Sequence, residues 1–306
     1  MRSEKVRIGR NNIAVYSFSS ESDLEQYCAA KIEEYNAGAM DNETSDKAQI
    51  ARLVSCDYQE EKNYKKWYGE GVEHYSDAND LLINGFIKDV KEMKDAYKHA
   101  AAVNPITKKT LHYCGAVPSV ADYIAGRPRD MRRTITTVQN SKIANIYVEF
   151  GASQQKNAKQ ILEASLKVAS YIGGMEKAGY SVNLHAIRVQ EQREGYYSCF
   201  DLKLKDASNR ANVSRFLFPL CHPSFQRVFN FLTLAINAKD CNLNRVTYGT
   251  GSYHEGYQIV AALLPKDAIY ISIEKSIEGV TIEAQQARFK DAHGMKRITE
   301  GRPLKA

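Results

Sequence analysis

The sequence predicts an α/β protein in two parts: a mainly helical N-terminal region, residues 1–138, and an α/β domain, residues 139–306, with a mostly parallel sheet that contains one antiparallel strand. Three observations lead to this prediction. The chain has 306 residues, about twice the usual size of one domain. Its composition, 43% hydrophobic and 25% charged, is that of a globular protein. From residue 142 onward, segments with strand-like alternation follow segments with helical spacing.

The first half opens with a predicted strand at residues 13–18 and continues with helices. Ser20 offers a cap for a helix that carries Leu24, Cys28 and Ile32 at helical spacing. Further helices are predicted after Ser76, at residues 86–102, and shortly after Val120. Residues 134–141 are polar and predict a link to the second half.

In the second half, the predicted order is strand, helix, strand, reversed strand, helices, strand. Strands are predicted at residues 143–150, 180–189, 196–204 and 268–273. Helices are predicted at residues 211–220, 225–236 and 256–264, and before them a helix with Ile161, Leu166 and Ile172 at helical spacing ends near Gly179. The short turn at residues 191–195 joins its two strands as an antiparallel hairpin. On the second of these strands, Asp201, Lys203 and Lys205 are expected to share one face. A mostly parallel sheet with one reversed edge strand, and with helices on both faces, satisfies this order.

The remaining composition indicates a cytoplasmic protein. No apolar run reaches the roughly 18 residues that span a bilayer, and the charged first residues have no apolar stretch behind them. The cysteines are far apart and lack the close pairs of zinc sites, so buried free thiols are expected. They are Cys28, Cys56, Cys114, Cys199, Cys221 and Cys241.

Six segments, taken in order, carry a resemblance to known proteins: residues 67–71, 77–85, 120–131, 148–153, 178–184 and 248–252. With the strand order, they make the second half similar to a von Willebrand factor A-type domain, which is Rossmann-like. The whole chain resembles an uncharacterised family of phage and prophage proteins with a degenerate domain of this type. The resemblance implies a location in the cytoplasm of the host cell. By analogy of fold it implies an adaptor role, with an AAA+ ATPase as one kind of partner.

Active A-type domains bind a divalent cation with the motif D-x-S-x-S, whose carboxylate and hydroxyls supply oxygen ligands. Here the loop begins Gly151-Ala152-Ser153, so that glycine replaces the aspartate. A shift by two positions aligns Glu149 with the aspartate and Ser153 with the second serine, but places Gly151 at the first serine. Both alignments predict a degenerate site, and residual binding at Glu149 and Ser153 stays open. We expect no cofactor and no metal.

A protein-binding surface is predicted where the loops at the carboxyl ends of the strands converge. Its candidate residues are Ser153, Gln155, Gly249, Gly251 and His254. The glycine-rich loop at residues 248–256 fits neither the Walker A motif nor the dinucleotide fingerprint. The favoured hypothesis is therefore a non-enzymatic interaction protein, or adaptor, without catalytic residues.

The alternative hypothesis is a nucleic-acid-binding protein. The net charge is +6, and the densest basic cluster comprises Arg127, Arg129, Arg132 and Arg133, with Lys108, Lys109 and Lys142 as further cations. Such a cluster can contact phosphates. A third hypothesis is an enzyme that uses His254 and Glu255, although Ser153 lacks the nucleophile elbow and His185, among apolar neighbours, is interpreted as a packed residue.

Overall fold

Two β-sheets organise the part of the chain that the computed structural model describes. The described residues are 1–40, 45–55, 68–69, 71–86, 90–99, 107–112, 117–127, 131–136, 142–151, 156–209, 213–241 and 253–294. The strands are β1 (Arg2–Ile8), β2 (Asn11–Phe18), β3 (Thr107–His112), β4 (Val117–Pro118), β5 (Met131–Thr136), β6 (Lys142–Glu149), β7 (Tyr180–Arg193), β8 (Tyr196–Lys205) and β9 (Ile269–Ser272). The six-stranded sheet has the order β1-β2-β8-β7-β6-β9, and the three-stranded sheet the order β3-β5-β4.

The six-stranded sheet is mixed. β6 is parallel to β7 and to β9, and β2 is parallel to β8, whereas β1–β2 and β7–β8 are antiparallel pairs. The predicted hairpin is confirmed, because β8 turns back along β7. The prediction that this reversed strand lies at the edge of the sheet is wrong, because β2 pairs with its other side.

β1 and β2 place the first residues of the chain in the same sheet as the strands of the second half. The strand predicted at residues 13–18 is confirmed within β2. β1 escapes the sequence analysis because Arg2, Glu4 and Lys5 interrupt any apolar pattern. All three are exposed on an edge strand, where charged side chains disfavour pairing with a further strand. The six-stranded sheet thus draws on both sides of the predicted division at residue 138, which stays a prediction.

The helices cover both faces of this sheet, as predicted. The helices of the described residues are α1 (Glu21–Asn36), α2 (Lys47–Ser55), α3 (Tyr75–Asn84), α4 (Val90–His99), α5 (Val120–Ile124), α6 (Ala158–Lys177), α7 (Val213–Cys221), α8 (Phe231–Ile236), α9 (Tyr253–Leu263), α10 (Ile273–Ile277) and α11 (Ile282–Gly294). Among them, α5 has no buried residue and is not part of these layers. The predicted cap of α1 is confirmed, because Ser20 Oγ accepts a hydrogen bond from the backbone N–H of Asp23 at 3.2 Å. A buried π-helical stretch, Phe225–Asn230, separates α7 from α8. No helix among the described residues is long and apolar enough to cross a membrane.

Two apolar clusters hold the layers together. On the first face, Ile146, Leu184 and Phe200 belong to a large cluster with residues of α1, α6 and α7. On the second face, Tyr147 and Cys199 belong to a smaller cluster with residues of α9 and α11. Strand residues alternate between the two faces, so each central strand contributes side chains to both clusters.

A β-bulge interrupts the pairing of β7 with β8. Leu184 pairs with Lys205, but the next residue, His185, pairs with Lys203, so Leu204 is the extra residue. The expectation that Lys203 and Lys205 share one face with Asp201 is therefore wrong for Lys205. Its side chain is 4% exposed, lies 3.0 Å from Glu176 Oε1 of α6, and donates to the carbonyl of Val182 at 3.0 Å.

Candidate functional site

A cleft of about 510 Å³ opens on the second face of the six-stranded sheet, beside the apolar cluster of that face. Its volume lies within the range of about 300–1,000 Å³ that is usual for small-molecule sites. It is lined by Met1, Arg2, Glu4, Ser17, Phe18, Ser19, Asp23, Asn145, Tyr147, Asn183, His185, Asp201 and Lys203. We call it the polar cleft, because most of these side chains carry hydrogen-bonding groups.

The alternation of the strands explains why these side chains meet. Polar residues stand two positions apart on three neighbouring strands: Asn145 and Tyr147 on β6, Asn183 and His185 on β7, and Asp201 and Lys203 on β8. In the register, Asn145 is opposite Asn183 and Tyr147 is opposite His185. Residues opposite each other on paired strands share a face, so three short polar pairs combine into one surface.

His185 and Asp201 form a dyad in the polar cleft. The distance from His185 Nδ1 to Asp201 Oδ1 is 2.8 Å, and the side chains are 18% and 16% exposed. The imidazole also stacks on the ring of Tyr147, with 4.7 Å between ring centroids and 30° between planes. A carboxylate that accepts the Nδ1 hydrogen leaves Nε2 as an acceptor. The dyad thus fixes both the orientation and the tautomer of the ring.

Tyr147 contributes a protonated hydroxyl to the same site. Burial, together with the negative charge of Asp201, raises the pKa of Tyr147 to about 12. Burial and nearby negative charge both disfavour the phenolate. The hydroxyl therefore remains a hydrogen-bond donor over the whole neutral range.

An amide pair lies beside the dyad. Asn183 Nδ2 donates to Asn145 Oδ1 at 2.8 Å, and Asn183 Oδ1 accepts a hydrogen bond from the backbone N–H of Ala207 at 2.7 Å. Asn183 is therefore held by both of its amide atoms. Asn145 is held through its oxygen, which orients its Nδ2 group as a fixed donor on the cleft wall.

The full charges around the polar cleft are mostly neutralised in pairs. Arg2 contacts Glu4 at 3.2 Å, and Asp23 accepts hydrogen bonds from the backbone N–H and the hydroxyl of Ser19 and from the α-amino group. Lys203 contacts Asp206 at 2.5 Å, which contributes to the lowered pKa of that carboxyl. The cleft therefore offers hydrogen bonds more than net charge to a ligand.

At Glu149, the last residue of β6, a second polar cluster is almost closed to solvent. Glu149 Oε2 accepts a hydrogen bond from the hydroxyl of Tyr270 at 2.6 Å, and Glu149 Oε1 lies 3.6 Å from Arg188 Nη1. The side chains of Arg188 and Glu149 are 4% and 10% exposed. Glu149, the carboxylate considered for residual metal binding, is thus engaged by two protein groups.

Gly151 explains why an aspartate does not stand at the start of the following loop. Its φ is +90°, and a Cβ built there would lie 2.4 Å from Oε1 of Gln226. Both the backbone conformation and the lack of space favour glycine. The position that carries the metal-binding aspartate in the first alignment cannot accept a side chain here without displacing Gln226.

Most residues of the predicted protein-binding surface lie outside the described residues. These are Ser153, Gln155, Gly249 and Gly251. His254 lies in α9, which begins at Tyr253; its side chain is also outside the described part. Whether these residues meet stays a prediction.

The structure brings together two basic segments that are distant in sequence. β3 and β5 pair antiparallel, with Thr110 opposite Arg133 and Leu111 opposite Arg132. Lys108 and Lys109 precede these partners on β3, and neither strand contains an acidic residue. The polar link predicted at residues 134–141 is therefore wrong for residues 134–136, which belong to β5 at the centre of the three-stranded sheet.

Between β4 and β5, the short helix α5 exposes its apolar side chains. Val120, Tyr123 and Ile124 are 66%, 70% and 79% exposed, and α5 has no buried residue. The acidic residue of this helix, Asp122, accepts a hydrogen bond from Arg127 Nη1 at 2.8 Å. Arg127 is thus the one arginine of the predicted cluster with a described side chain, and it anchors the turn after α5. Arg129 lies outside the described residues, and so do the side chains of Arg132 and Arg133.

The polar cleft is absent from the sequence analysis. His185 is interpreted there as packed, because Leu184 and Ala186 flank it, but these neighbours face the opposite side of the sheet. The available signal is the repeated spacing of two between polar residues on three predicted strands. What the sequence lacks is the register that aligns them.

The described elements define an α/β protein with a mixed six-stranded sheet, helices on both faces and a polar cleft on one of them. A family model described as a domain of unknown function (DUF7192) matches residues 3–302. The chain therefore belongs to this family, which covers both sheets. No curated protein and no solved structure matches the chain.

Proposed function

We propose that the protein is a non-enzymatic interaction protein that binds another protein through helix α5. The observation that carries this proposal is the exposure of Val120, Tyr123 and Ile124, which are 66%, 70% and 79% exposed on a helix of five residues. Isolated exposed apolar residues are normal on protein surfaces, but an adjacent group points to an interface. Tyrosine and large aliphatic side chains are suited to the centre of such a contact.

The surroundings of α5 indicate the chemistry of the partner. The helix lies in the chain between β4 and β5, and β5 carries Arg132 and Arg133. Arg127 is exposed directly after the helix. An apolar helix in a basic segment of the chain is complementary to an apolar patch flanked by carboxylates. The proposed partner is therefore a protein with an acidic, partly apolar surface.

The context that we propose is that of phage and prophage proteins with a degenerate von Willebrand factor A-type domain. The order β8-β7-β6-β9, with β8 reversed, supports this assignment, because it agrees with the hairpin expected after the second strand of such a domain. The engaged Glu149 and the glycine at residue 151 agree with the loss of its metal site. An AAA+ ATPase is one candidate partner by analogy of fold.

The test is affinity purification of the tagged full-length protein from its native host, with and without nuclease. The variant is Tyr123→Ser with Ile124→Ser, and the matched control is Ile143→Ser, which replaces an isoleucine that is 60% exposed on β6. We expect a defined protein partner that still co-purifies after nuclease treatment. Its recovery should be unchanged with the control and at least about tenfold lower with the α5 variant. Equal recovery with both variants would refute the proposal.

The pairing of β3 with β5 favours a second candidate function, the binding of nucleic acid. Paired basic strands can present a continuous row of cations to phosphates. Fluorescence anisotropy with labelled single- and double-stranded oligonucleotides, measured over a range of salt concentrations, tests this function. Arg132→Ala with Arg133→Ala should reduce the salt slope by about 2. An unchanged slope would refute nucleic-acid binding. Loss of oligonucleotide binding in this arginine variant, in which helix α5 is unchanged, would favour nucleic acid over a protein partner.

A further inference from the structure

We propose that the polar cleft is a binding site for a nucleobase or nucleoside, that is, a neutral planar heterocycle with hydrogen-bond donors and acceptors on its edge. This inference does not depend on the interaction through α5, because the cleft lies on the six-stranded sheet. It rests on polar atoms without protein partners, on the balance of charge, and on the aromatic groups of the wall.

Five polar groups of the wall have no hydrogen-bond partner within the part of the chain that the structure describes. They are Ser17 Oγ, Asn145 Nδ2, Tyr147 Oη, His185 Nε2 and Asp201 Oδ2. Three of these residues are oriented by contacts through their other atoms: Asn145 by Asn183, and His185 and Asp201 by each other. Preorganised donors and acceptors around a concave volume are typical of small-molecule sites.

The charge of the wall argues for a neutral ligand. Arg2, Lys203 and Asp23 each have an oppositely charged partner. The described residues contain no group of three or more histidine, cysteine or acidic side chains arranged to hold a metal ion. A polyphosphate would require unpaired cations. Of the three carboxylates that line the cleft, Glu4 and Asp23 are paired with Arg2 and the α-amino group, whereas Asp201 contacts an imidazole.

The order of donors and acceptors fits the edge of a base. The Asn145 donor and the Asp201 acceptor stand on strands separated by β7, which carries His185 between them. Neighbouring strands are about 4.8 Å apart, and the register places Asn145 opposite Asn183 and Asp201 opposite Ile187. The two groups are therefore offset along the strands, and a ligand that contacts both must extend past His185. A carboxylate accepts hydrogen bonds from an exocyclic amino group, and an asparagine amide can pair with a ring edge.

The aromatic groups of the cleft provide stacking surfaces. The imidazole of His185 lies against the ring of Tyr147, and both residues line the cleft. Bases stack readily on such rings, and stacking is tolerant of base identity. Stacking would therefore supply affinity, whereas Asp201 would select for a base with an amino group.

The test uses the full-length protein and isothermal titration calorimetry with adenosine, cytidine, guanosine and uridine, with glucose as a neutral polyhydroxyl comparison. We expect at least one of the three amino-bearing nucleosides to bind, and uridine to bind about tenfold more weakly because it offers no amino group to Asp201. Binding of glucose alone, or no binding of any nucleoside at millimolar concentration, would overturn the proposal.

Two variants identify the site. In Asp201→Asn the amide oxygen can keep the contact with His185, which leaves an N–H donor in place of the Oδ2 acceptor, and we expect binding to weaken about tenfold or more. Asn145→Ser replaces the amide donor with a shorter hydroxyl group. The matched control is Asp291→Asn, which changes an exposed carboxylate on α11. Affinity that stays equal in Asp201→Asn, Asn145→Ser and the control would refute the site.

A measurement on the unmodified protein keeps the proposal testable if a variant fails to fold. In protein labelled with ¹³C-histidine, the resonance of His185 is assigned by its loss in His185→Gln. Addition of a binding nucleoside should shift this resonance more than those of the other six histidines. A shift centred on another histidine would place the ligand elsewhere and contradict the proposal.

Discussion

The central strands of the six-stranded sheet carry two polar clusters, and the two are built in opposite ways. At the carboxyl end of β6, Glu149 accepts a hydrogen bond from Tyr270 and lies 3.6 Å from Arg188, and all three side chains are almost fully buried. Three to four residues earlier on the same strands, His185 and Asn145 are each fixed through one polar atom while another polar atom faces the polar cleft.

The difference teaches how one sheet can divide its polar residues between stability and binding. A buried charge must be compensated by protein groups, since its desolvation costs several kcal/mol in folded proteins, about the size of the net stability itself. A group at a solvent-filled cleft carries no such cost. The closed cluster should therefore respond to mutation by a loss of stability, and the polar cleft by a loss of binding.

The largest effect is expected for Arg188→Met. This change leaves the carboxylate of Glu149 buried without its cation, and removing one partner of a buried pair costs about 3–5 kcal/mol. Urea denaturation measures the change in the free energy of unfolding. The double variant, Arg188→Met with Glu149→Gln, should recover a large part of the loss. If Arg188→Met were as stable as the wild type, Arg188 would not be needed to compensate the buried charge of Glu149.

A smaller contrast is expected between two lysines on β8. Lys205 is buried at the bulge, where it contacts Glu176 and the carbonyl of Val182, so Lys205→Met should cost about 1.5–3 kcal/mol. Lys203 is 33% exposed and pairs with Asp206 on the surface, so Lys203→Met should cost less than about 1 kcal/mol. Equal losses in thermal or urea denaturation would contradict the assigned bulge at Leu204.

A third change, His185→Gln, should separate binding from stability. The hydrogen bond to Asp201 is partly solvent-exposed, and its loss should lower the free energy of unfolding by no more than about 1.5 kcal/mol. Glutamine keeps a hydrogen-bonding amide but loses the ring. A loss comparable to that of Arg188→Met would mean that the polar cleft is part of the core.

The smallest effect concerns the border between the cleft and the core. Cys199 lies two residues before Asp201 on β8 and belongs to the apolar cluster of the second face. Burial raises the pKa of the thiols of Cys28 and Cys199 above the usual range, and a buried thiol that stays protonated is a poor nucleophile. Native protein should leave both unlabelled by a thiol reagent at neutral pH, and urea should expose them. Rapid labelling of Cys199 in the native protein would show that the polar cleft reaches this thiol.

The sequence predicts the features whose cause is local. The cap at Ser20, the hairpin between β7 and β8, and the burial of Cys28, Cys199 and Cys221 follow from short patterns and are confirmed. Cys56 and Cys114 lie outside the described residues, as does the side chain of Cys241. Each of these patterns has a local physical cause, such as a backbone N–H without a partner at a helix start or a two-residue turn.

The features that escape prediction depend on pairing between distant segments. β1 is too charged to be predicted as a strand, and residues 134–136 of β5 are predicted as part of a polar link, because their partner β3 is distant in sequence. The polar cleft needs the register of three strands, in which a bulge shifts Lys205 to the other face. Residues 183 and 185 show their polar alternation plainly, but no local pattern tells which strands will stand beside them.

The pairing of β2 with β8 also has a consequence for the order of folding. Residues 12–18 gain their parallel partner only from residues 196–202, so a nascent chain must extrude most of its length before this part of the sheet can form. Contacts of such long range slow folding, because the loop between them must close first. During synthesis, β2 therefore lacks its second partner until β8 has been made, and its free edge stays unpaired. A chain arrested before residue 196 is therefore a natural client for chaperones.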